Sequence, residues 1–232
     1  MPDKTHDKQA WLAARMALME QEKALLKQSD AVAGARREMP WLALDRDYEF
    51  ESASGTVLLS ELFGEHLQLI VQHVMFHPDW DQGCPICSFW ADGFNPMIAH
   101  LNQRGVAFAA VSRAPLEKLQ AYQQKMGWTF TWVSAANNSF NYDFHVSATD
   151  AEKAAGEMEY NYRPVPIYSE ELHGTSVFTK DDDGDLFHTY STYARGVEPF
   201  NAAYGLLDLV PNGRNEQDLP FPMAWVKRHT EY

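Results

Sequence analysis

Cysteine is scarce in this chain, with two in 232 residues. A structural disulfide framework uses more cysteines and closes longer loops, so that role is excluded. Positive charge is short as well: 19 Lys and Arg stand against 32 Asp and Glu, a formal charge of -13. An acidic surface repels phosphate backbones and anionic headgroups, which argues against non-specific binding to nucleic acid or membrane. No apolar run approaches the ~18 residues needed to cross a bilayer. The opening Met1-Pro2-Asp3-Lys4-Thr5-His6-Asp7 is polar and leads into no apolar signal-peptide core, so the cytoplasm is the expected location. Internal repeats and low-complexity stretches are missing too. The remainder is ordinary globular sequence, 45% hydrophobic, with 7 Trp, 10 Tyr and 13 Phe to fill a core.

Residues 5–36 are expected to form a long helix, because Trp11, Leu18 and Leu25 recur every seventh position beside Leu12, Met19 and Leu26. Met39-Pro40-Trp41 ends it, since a helix rarely runs through the residue before proline. The apolar stripe suits packing on its own domain, the plainer expectation, or pairing with a second copy as a homodimer. We read residues 1–45 as a helical arm and 46–232 as an α/β domain. Tyr48-Glu49-Phe50 and Gly55-Thr56-Val57-Leu58-Leu59 read as a short hairpin, with a one-turn connector at 60–64. Residues 67–76 are apolar enough for a central strand, 106–112 for a second and 129–134 for a third. Helices are expected at 88–104, capped by Gly105, and from Pro115 to Gly127. Strand–helix–strand–helix–strand order implies parallel strands with right-handed crossovers. Residues 137–172 form a less regular insertion with a short helix at 150–159. Asp183-Gly184 between two strand-like runs, 176–179 and 186–190, signals a hairpin, and 199–209 reads as a closing helix.

Both cysteines stand in Cys84-Pro85-Ile86-Cys87, directly after a buried strand and at the mouth of a helix. There the first thiol faces unpaired backbone N–H groups and the positive end of the helix dipole. Both favour the thiolate, which is the reactive form. Pro85 suits a first helical turn, where a missing N–H costs nothing. Cys84 is then the nucleophile of thiol–disulfide exchange and Cys87 the thiol that resolves the mixed disulfide. A structural zinc site would need two further ligands, and His73, His77, His100 and His145 form no close pair. No metal or cofactor is the first expectation, with a metal-binding protein the more distant alternative; the partners are protein or small-molecule disulfides and thiols. Asp79 and Asp81 work against thiolate formation if they approach Cys84.

The strand–Cys-Pro-x-Cys–helix, strand–helix–strand and late hairpin order resembles the thioredoxin fold: a central mixed sheet flanked by helices, here with a long N-terminal helix and an irregular insertion. Six blocks narrow the resemblance. They are Gly83-Cys84-Pro85-Ile86-Cys87-Ser88-Phe89-Trp90-Ala91-Asp92, Ser112-Arg113-Ala114-Pro115, Met126-Gly127-Trp128, Phe140-Asn141-Tyr142-Asp143-Phe144, Phe187-His188-Thr189-Tyr190-Ser191-Thr192-Tyr193-Ala194-Arg195-Gly196 and Trp225-Val226-Lys227-Arg228-His229. Together they resemble a bacterial thioredoxin-like family catalogued as a domain of unknown function, over nearly the whole chain. That resemblance implies a fold more than an activity. Thioredoxins carry a cis-proline before the strand facing the disulfide, where this chain has Leu172-His173-Gly174-Thr175-Ser176. Peroxiredoxins place Thr or Ser three residues before their peroxide-reducing cysteine, where this chain has Asp81.

Around the dithiol, His77, Trp80 and Pro85 make the expected active-site loop. Trp80 corresponds to the tryptophan that shields the cysteines in thioredoxins, with simple loop packing as the alternative. Asn141, Tyr142, Asp143, Tyr190, Tyr193 and Arg195 either line a pocket over the cysteines, with Arg195 gripping a carboxylate, or bond the insertion to the domain. His73 reads as a hydrogen-bonded core residue more than a proton-transfer group. Asp181 to Asp185 lacks the spacing of a calcium loop and reads as a solvated turn. A non-enzymatic binding module on the same scaffold is the rival reading, with the insertion and the N-terminal helix as its binding surfaces.

Overall fold

The computed structural model describes residues 4–232, so Met1, Pro2 and Asp3 lie outside the described residues. Backbone contacts divide the chain into two compact units, Met1–Pro40 and Trp41–Tyr232. The first unit is helix α1 (Lys8–Arg37). Asp7 caps it, its carboxylate accepting from the Gln9 and Ala10 N–H groups at 2.8 and 3.2 Å. Arg36 and Arg37 in the last turn suit the negative end of its dipole. Taken by itself, α1 buries none of its residues.

In the second unit, β1 (Leu42–Ala43), β2 (Glu49–Ser52), β3 (Gly55–Leu58) and β4 (Gln68–His73) come first. Next are α2 (Pro85–Phe94), α3 (Ile98–Gln103), β5 (Val106–Ser112), α4 (Leu116–Met126) and β6 (Thr131–Ser134). The insertion holds α5 (Phe140–Asp143), α6 (Asp150–Ala155), β7 (Glu157–Tyr160) and β8 (Arg163–Pro166); β9 (Gly174–Lys180), β10 (Leu186–Tyr193) and α7 (Ala202–Leu207) follow. Eight strands form one sheet in the order β1-β10-β9-β4-β5-β6-β2-β3. β4, β5 and β6 are parallel, while β9 runs antiparallel to β4 and β10 antiparallel to β9. This mixed sheet, with Cys84-Pro85-Ile86-Cys87 after its central strand, is a thioredoxin-like fold.

Strand alternation sends successive side chains to opposite faces and so builds two cores. Leu69, Val71, Ala107, Ala109 and Val111 point into one, against Phe50, Phe63, Phe140, Phe144 and Phe178. Phe108, Ala110 and Trp132 point into the other, against α2 and α4 through Cys87, Ala91, Leu119, Tyr122 and Met126. The second cysteine is thus part of a core.

Several boundaries differ from the sequence expectation. The helix expected over 88–104 begins earlier, at Pro85, and is interrupted by a 3-10 turn at Asn95–Met97 before α3. Pro96 has no N–H to donate, and its ring crowds the preceding turn. The third strand starts at Thr131 because the Thr129 N–H is taken by Asn95 Oδ1 at 2.7 Å. Pro115 caps α4 from just outside it, and Gly127 closes it in the left-handed region at φ 67°. α6 stops at Ala155, with Gly156 at φ 75°, and residues 157–166 make a separate two-stranded hairpin. The segment 199–209 divides into a 3-10 stretch, Ala194–Phe200, and α7, capped by the Asn201 side chain. The acidic turn is held from within, since Asp181 Oδ1 accepts from the Asp183 and Asp185 N–H groups.

Candidate active site

β4 delivers the chain to a loop that closes on itself. The Cys84 N–H donates to the Met75 carbonyl at 3.0 Å, and the Met75 N–H donates to Cys87 Sγ at 3.4 Å. α2 starts at Pro85, placing Cys84 at its N-cap and Cys87 in its first turn. Both are free thiols, Cys84 half-buried and Cys87 buried. They titrate apart. The Cys87 S–H donates to the Cys84 sulfur, and with help from the Cys87 and Ile86 N–H groups and the Arg228 guanidinium it outweighs burial, bringing Cys84 down to about 7. Cys87, giving that hydrogen bond and buried, is pushed well up. Near neutrality the first sulfur is partly thiolate while its neighbour holds a proton.

Around Cys84 runs a polar network. The Ser88 hydroxyl donates to the Cys84 carbonyl at 2.9 Å and pairs with the Tyr122 hydroxyl at 2.8 Å. Arg228, from the C-terminal tail, donates from Nε to the Tyr122 oxygen at 2.9 Å and from Nη2 to the Gly83 carbonyl at 2.7 Å. Gly83 is required here, since a Cβ would lie 2.8 Å from Tyr122 Cε1.

Of the loop residues, Pro85 is the first of α2, and Trp80 packs on the core cluster that holds both cysteines. The His77 ring stands 6.1 Å from that of Trp80, with Nε2 3.2 Å from Glu170. Lys118 holds the loop by donating to the carbonyls of Pro78 and Trp80. The Asp79 side chain is 91% exposed and Asp81 is exposed, so both carboxylates face water. His73 stays neutral, burial holding it down to about 3, and its ring stacks on Phe140 and Phe144 in the other core while Nε2 meets the Ser176 hydroxyl.

The remaining candidates are distributed over several places. Asn141 is buried, and the Tyr142 ring lies under the Arg113 guanidinium at 4.6 Å. Asp143 accepts from the Tyr48 and Ser139 hydroxyls at 2.9 and 2.6 Å, bonding the insertion to the β2 side of the sheet. Arg195 grips a carboxylate of its own chain, Glu198, with Nε and Nη2. Tyr190 lies half-buried on β10. Tyr193 packs edge-on against Tyr160 and Tyr162 of the insertion hairpin. Burial pushes the Tyr160 hydroxyl up, and it donates to the His173 carbonyl at 2.7 Å. No cis peptide occurs among the described residues, and β9 begins at Gly174, directly after His173.

Sequence reasoning missed Ser88, Tyr122 and Arg228 as parts of this network. For Arg228 the only signal was its place in the Trp225-Val226-Lys227-Arg228-His229 block, which carries no hint of a partner 145 residues away. A second missed cluster pairs half-buried Arg113 with buried Glu171, 2.9 Å apart, with the Ser147 hydroxyl on the same carboxylate at 2.6 Å. Burial raises Glu171 to about 7 despite those partners.

With this geometry in place, likenesses to other proteins can be set beside it. The family model described as "Bacterial protein of unknown function (DUF899)" matches residues 1–232. The chain belongs to this family. No protein of curated function matches it in sequence. Among solved structures it is similar to the Xanthomonas campestris bacterioferritin comigratory protein, reported for alkyl peroxide reduction activity. Identity there is 14%, over 67% of this chain and 87% of that one, with a TM-score of 0.47. A Xylella fastidiosa PrxQ mutant is 15% identical over 73% and 98%, with a TM-score of 0.44. Mycobacterium tuberculosis peroxidoxin BcpB is 14% identical over 71% and 93%, with a TM-score of 0.40. Likeness at this level transfers no chemistry from those proteins to this DUF899 member. Among the described residues no cluster of three or more metal-ligating side chains occurs, and no helix is long and apolar enough to cross a membrane.

Proposed function

We propose that this protein performs thiol–disulfide exchange at Cys84 and Cys87. The observation that carries the reading is the placement of the pair, Cys84 half-buried at the N-cap of α2 and Cys87 buried in its first turn, which lowers the first thiol and raises the second. The Cys84 thiolate attacks one sulfur of a substrate disulfide. A new S–S bond forms, the substrate bond breaks, and the leaving thiolate takes a proton from water. Cys87, freed from its hydrogen bond to the Cys84 thiolate, attacks Cys84 Sγ as its proton passes to the departing second substrate sulfur. That step closes the Cys84–Cys87 disulfide and releases the second substrate thiol. The substrate gains two electrons and the protein loses two, which an external thiol reductant returns. A reducing compartment such as the cytoplasm would hold the pair as dithiol.

Peroxide reduction by the peroxiredoxin route has less support, because Asp81 stands where that route uses a hydroxyl. The test is reduction of a small aromatic disulfide. Cys84→Ser is expected to abolish turnover, and Cys87→Ser to accumulate a mixed disulfide visible by mass spectrometry. Undiminished turnover by Cys84→Ser refutes the assignment.

A further inference from the structure

The C-terminal tail lies along the helix that carries the dithiol. Met223 and Trp225 pack in one cluster with Ile86 and Phe89, and the Trp225 and Phe89 rings meet edge to face at 5.5 Å. One turn further along α2, His229 Nδ1 lies 2.8 Å from Asp92 Oδ1. Between these anchors Arg228 turns inward, its side chain only 15% exposed. Its fork spans the Gly83 carbonyl, at 3.2 Å from Nε and 2.7 Å from Nη2, and the Tyr122 hydroxyl, at 2.9 Å. Through Tyr122 and Ser88 the same network reaches the Cys84 carbonyl, so the peptide groups on both sides of the Cys84 amide are held. A planar guanidinium is suited to bridging two fixed acceptors in this way.

We infer that Arg228 is a positioning residue for Cys84: the tail strap across α2 carries it to the dithiol, where it fixes the Gly83–Cys84 backbone and supplies a half-buried cation. The inference rests on the exchange reading for its purpose, though not for its geometry. The charged and titratable groups that act on Cys84 are Cys87 from α2, Tyr122 from α4 and Arg228 from the tail, with Glu231 paired to Arg228 at 2.9 Å. In a chain of net charge -13, one cation at this place shifts the balance toward the thiolate.

The experiment is alkylation of Cys84 by iodoacetamide in the full-length protein, read by peptide mass spectrometry across about pH 5 to 10. Arg228→Met is expected to raise the midpoint by about half to one unit, leaving about three- to tenfold less thiolate at acidic pH. Arg228→Lys, with the charge but without the fork, is expected to fall between. Glu231→Gln removes the carboxylate that offsets the guanidinium, so its midpoint is expected to fall below that of the wild type. A midpoint unmoved in Arg228→Met, even with a lower melting temperature, overturns the proposal and leaves Arg228 a structural tie. Should Arg228→Met not fold, Glu231→Gln decides, and an unmoved midpoint there overturns the proposal equally. Failure of the exchange reading looks different: a redox titration in which Cys84 and Cys87 never join, whatever the alkylation midpoints do.

Discussion

Cys87 is the group expected to matter most for the reactivity of Cys84, before any resolving role. The Cys84 thiol is brought from an ordinary 9.0 down to about 7, and the largest cause is the hydrogen bond from Cys87. A drop of that size corresponds to roughly 3 kcal/mol of preference for the thiolate. Replacing Cys87 with Ala deletes that donor but keeps burial, which works the other way, and the weaker help of the two N–H groups and Arg228. The midpoint is then expected at about 8.5 to 9, so the thiolate fraction at neutral pH drops from about one half to a few per cent. Cys87→Ser keeps an O–H donor and should fall between the two. The assay is the pH dependence of iodoacetamide alkylation at Cys84. The midpoint is the quantity to read, because a thiolate of higher pKa is intrinsically more nucleophilic and partly masks the loss at any single pH. A Cys87→Ala midpoint still near 7 would refute the hydrogen-bond account and leave the helix terminus as the activating element.

Glu171 gives a stability signature. Its proton, held to about 7 in the fold against an ordinary 4.5, is bound by the native state and released by the unfolded one between those values. Stability from this group is therefore present at acidic pH and is lost as pH rises through that window, by up to about 3 kcal/mol. Urea unfolding should show the wild type losing ground relative to Glu171→Gln between about pH 5 and about pH 8, and a constant gap would reject the assignment. Gly83→Ala places a Cβ 2.8 Å from Tyr122 Cε1, so the ring must move and carry its hydroxyl away from Ser88 and Arg228. The expected cost is about 1–3 kcal/mol together with a raised Cys84 midpoint. Wild-type stability would mean that the loop yields freely.

The parallel core strands were legible because continuous apolar runs of strand length, separated by amphipathic helices, leave few alternatives. The Asp-Gly hairpin was legible for its turn chemistry. The insertion hairpin was not, since it turns on Asn161 and Tyr162 at φ 53° and 62°. A tyrosine in the left-handed region gives no local signal; its hydroxyl reaches the Ser191 carbonyl, a contact visible only after folding. The dithiol was legible from its spacing and the proline that follows Cys84. Its surroundings were not, because Tyr122 and Arg228 come from a helix face and a tail that the fold, not the sequence order, brings to Gly83.

Two additions to the sheet, the insertion and the C-terminal tail, tie up backbone groups of the domain. On the β9 side, Gly174 cannot carry a Cβ because the Tyr193 ring occupies its place. Tyr193 packs on Tyr160, whose hydroxyl donates to the His173 carbonyl and accepts from the Ala194 N–H at 2.9 Å. The His173 ring nitrogen is itself turned to the Ala194 carbonyl. Polar groups at the entry to β9 are thus already bonded within the chain, by a hairpin inserted between β6 and β9. On the α2 side, Arg228 similarly takes up the Gly83 carbonyl. On the exchange reading, a substrate disulfide at Cys84 would meet a Gly83 carbonyl already bonded to Arg228, which leaves that acceptor less free for strand-like pairing.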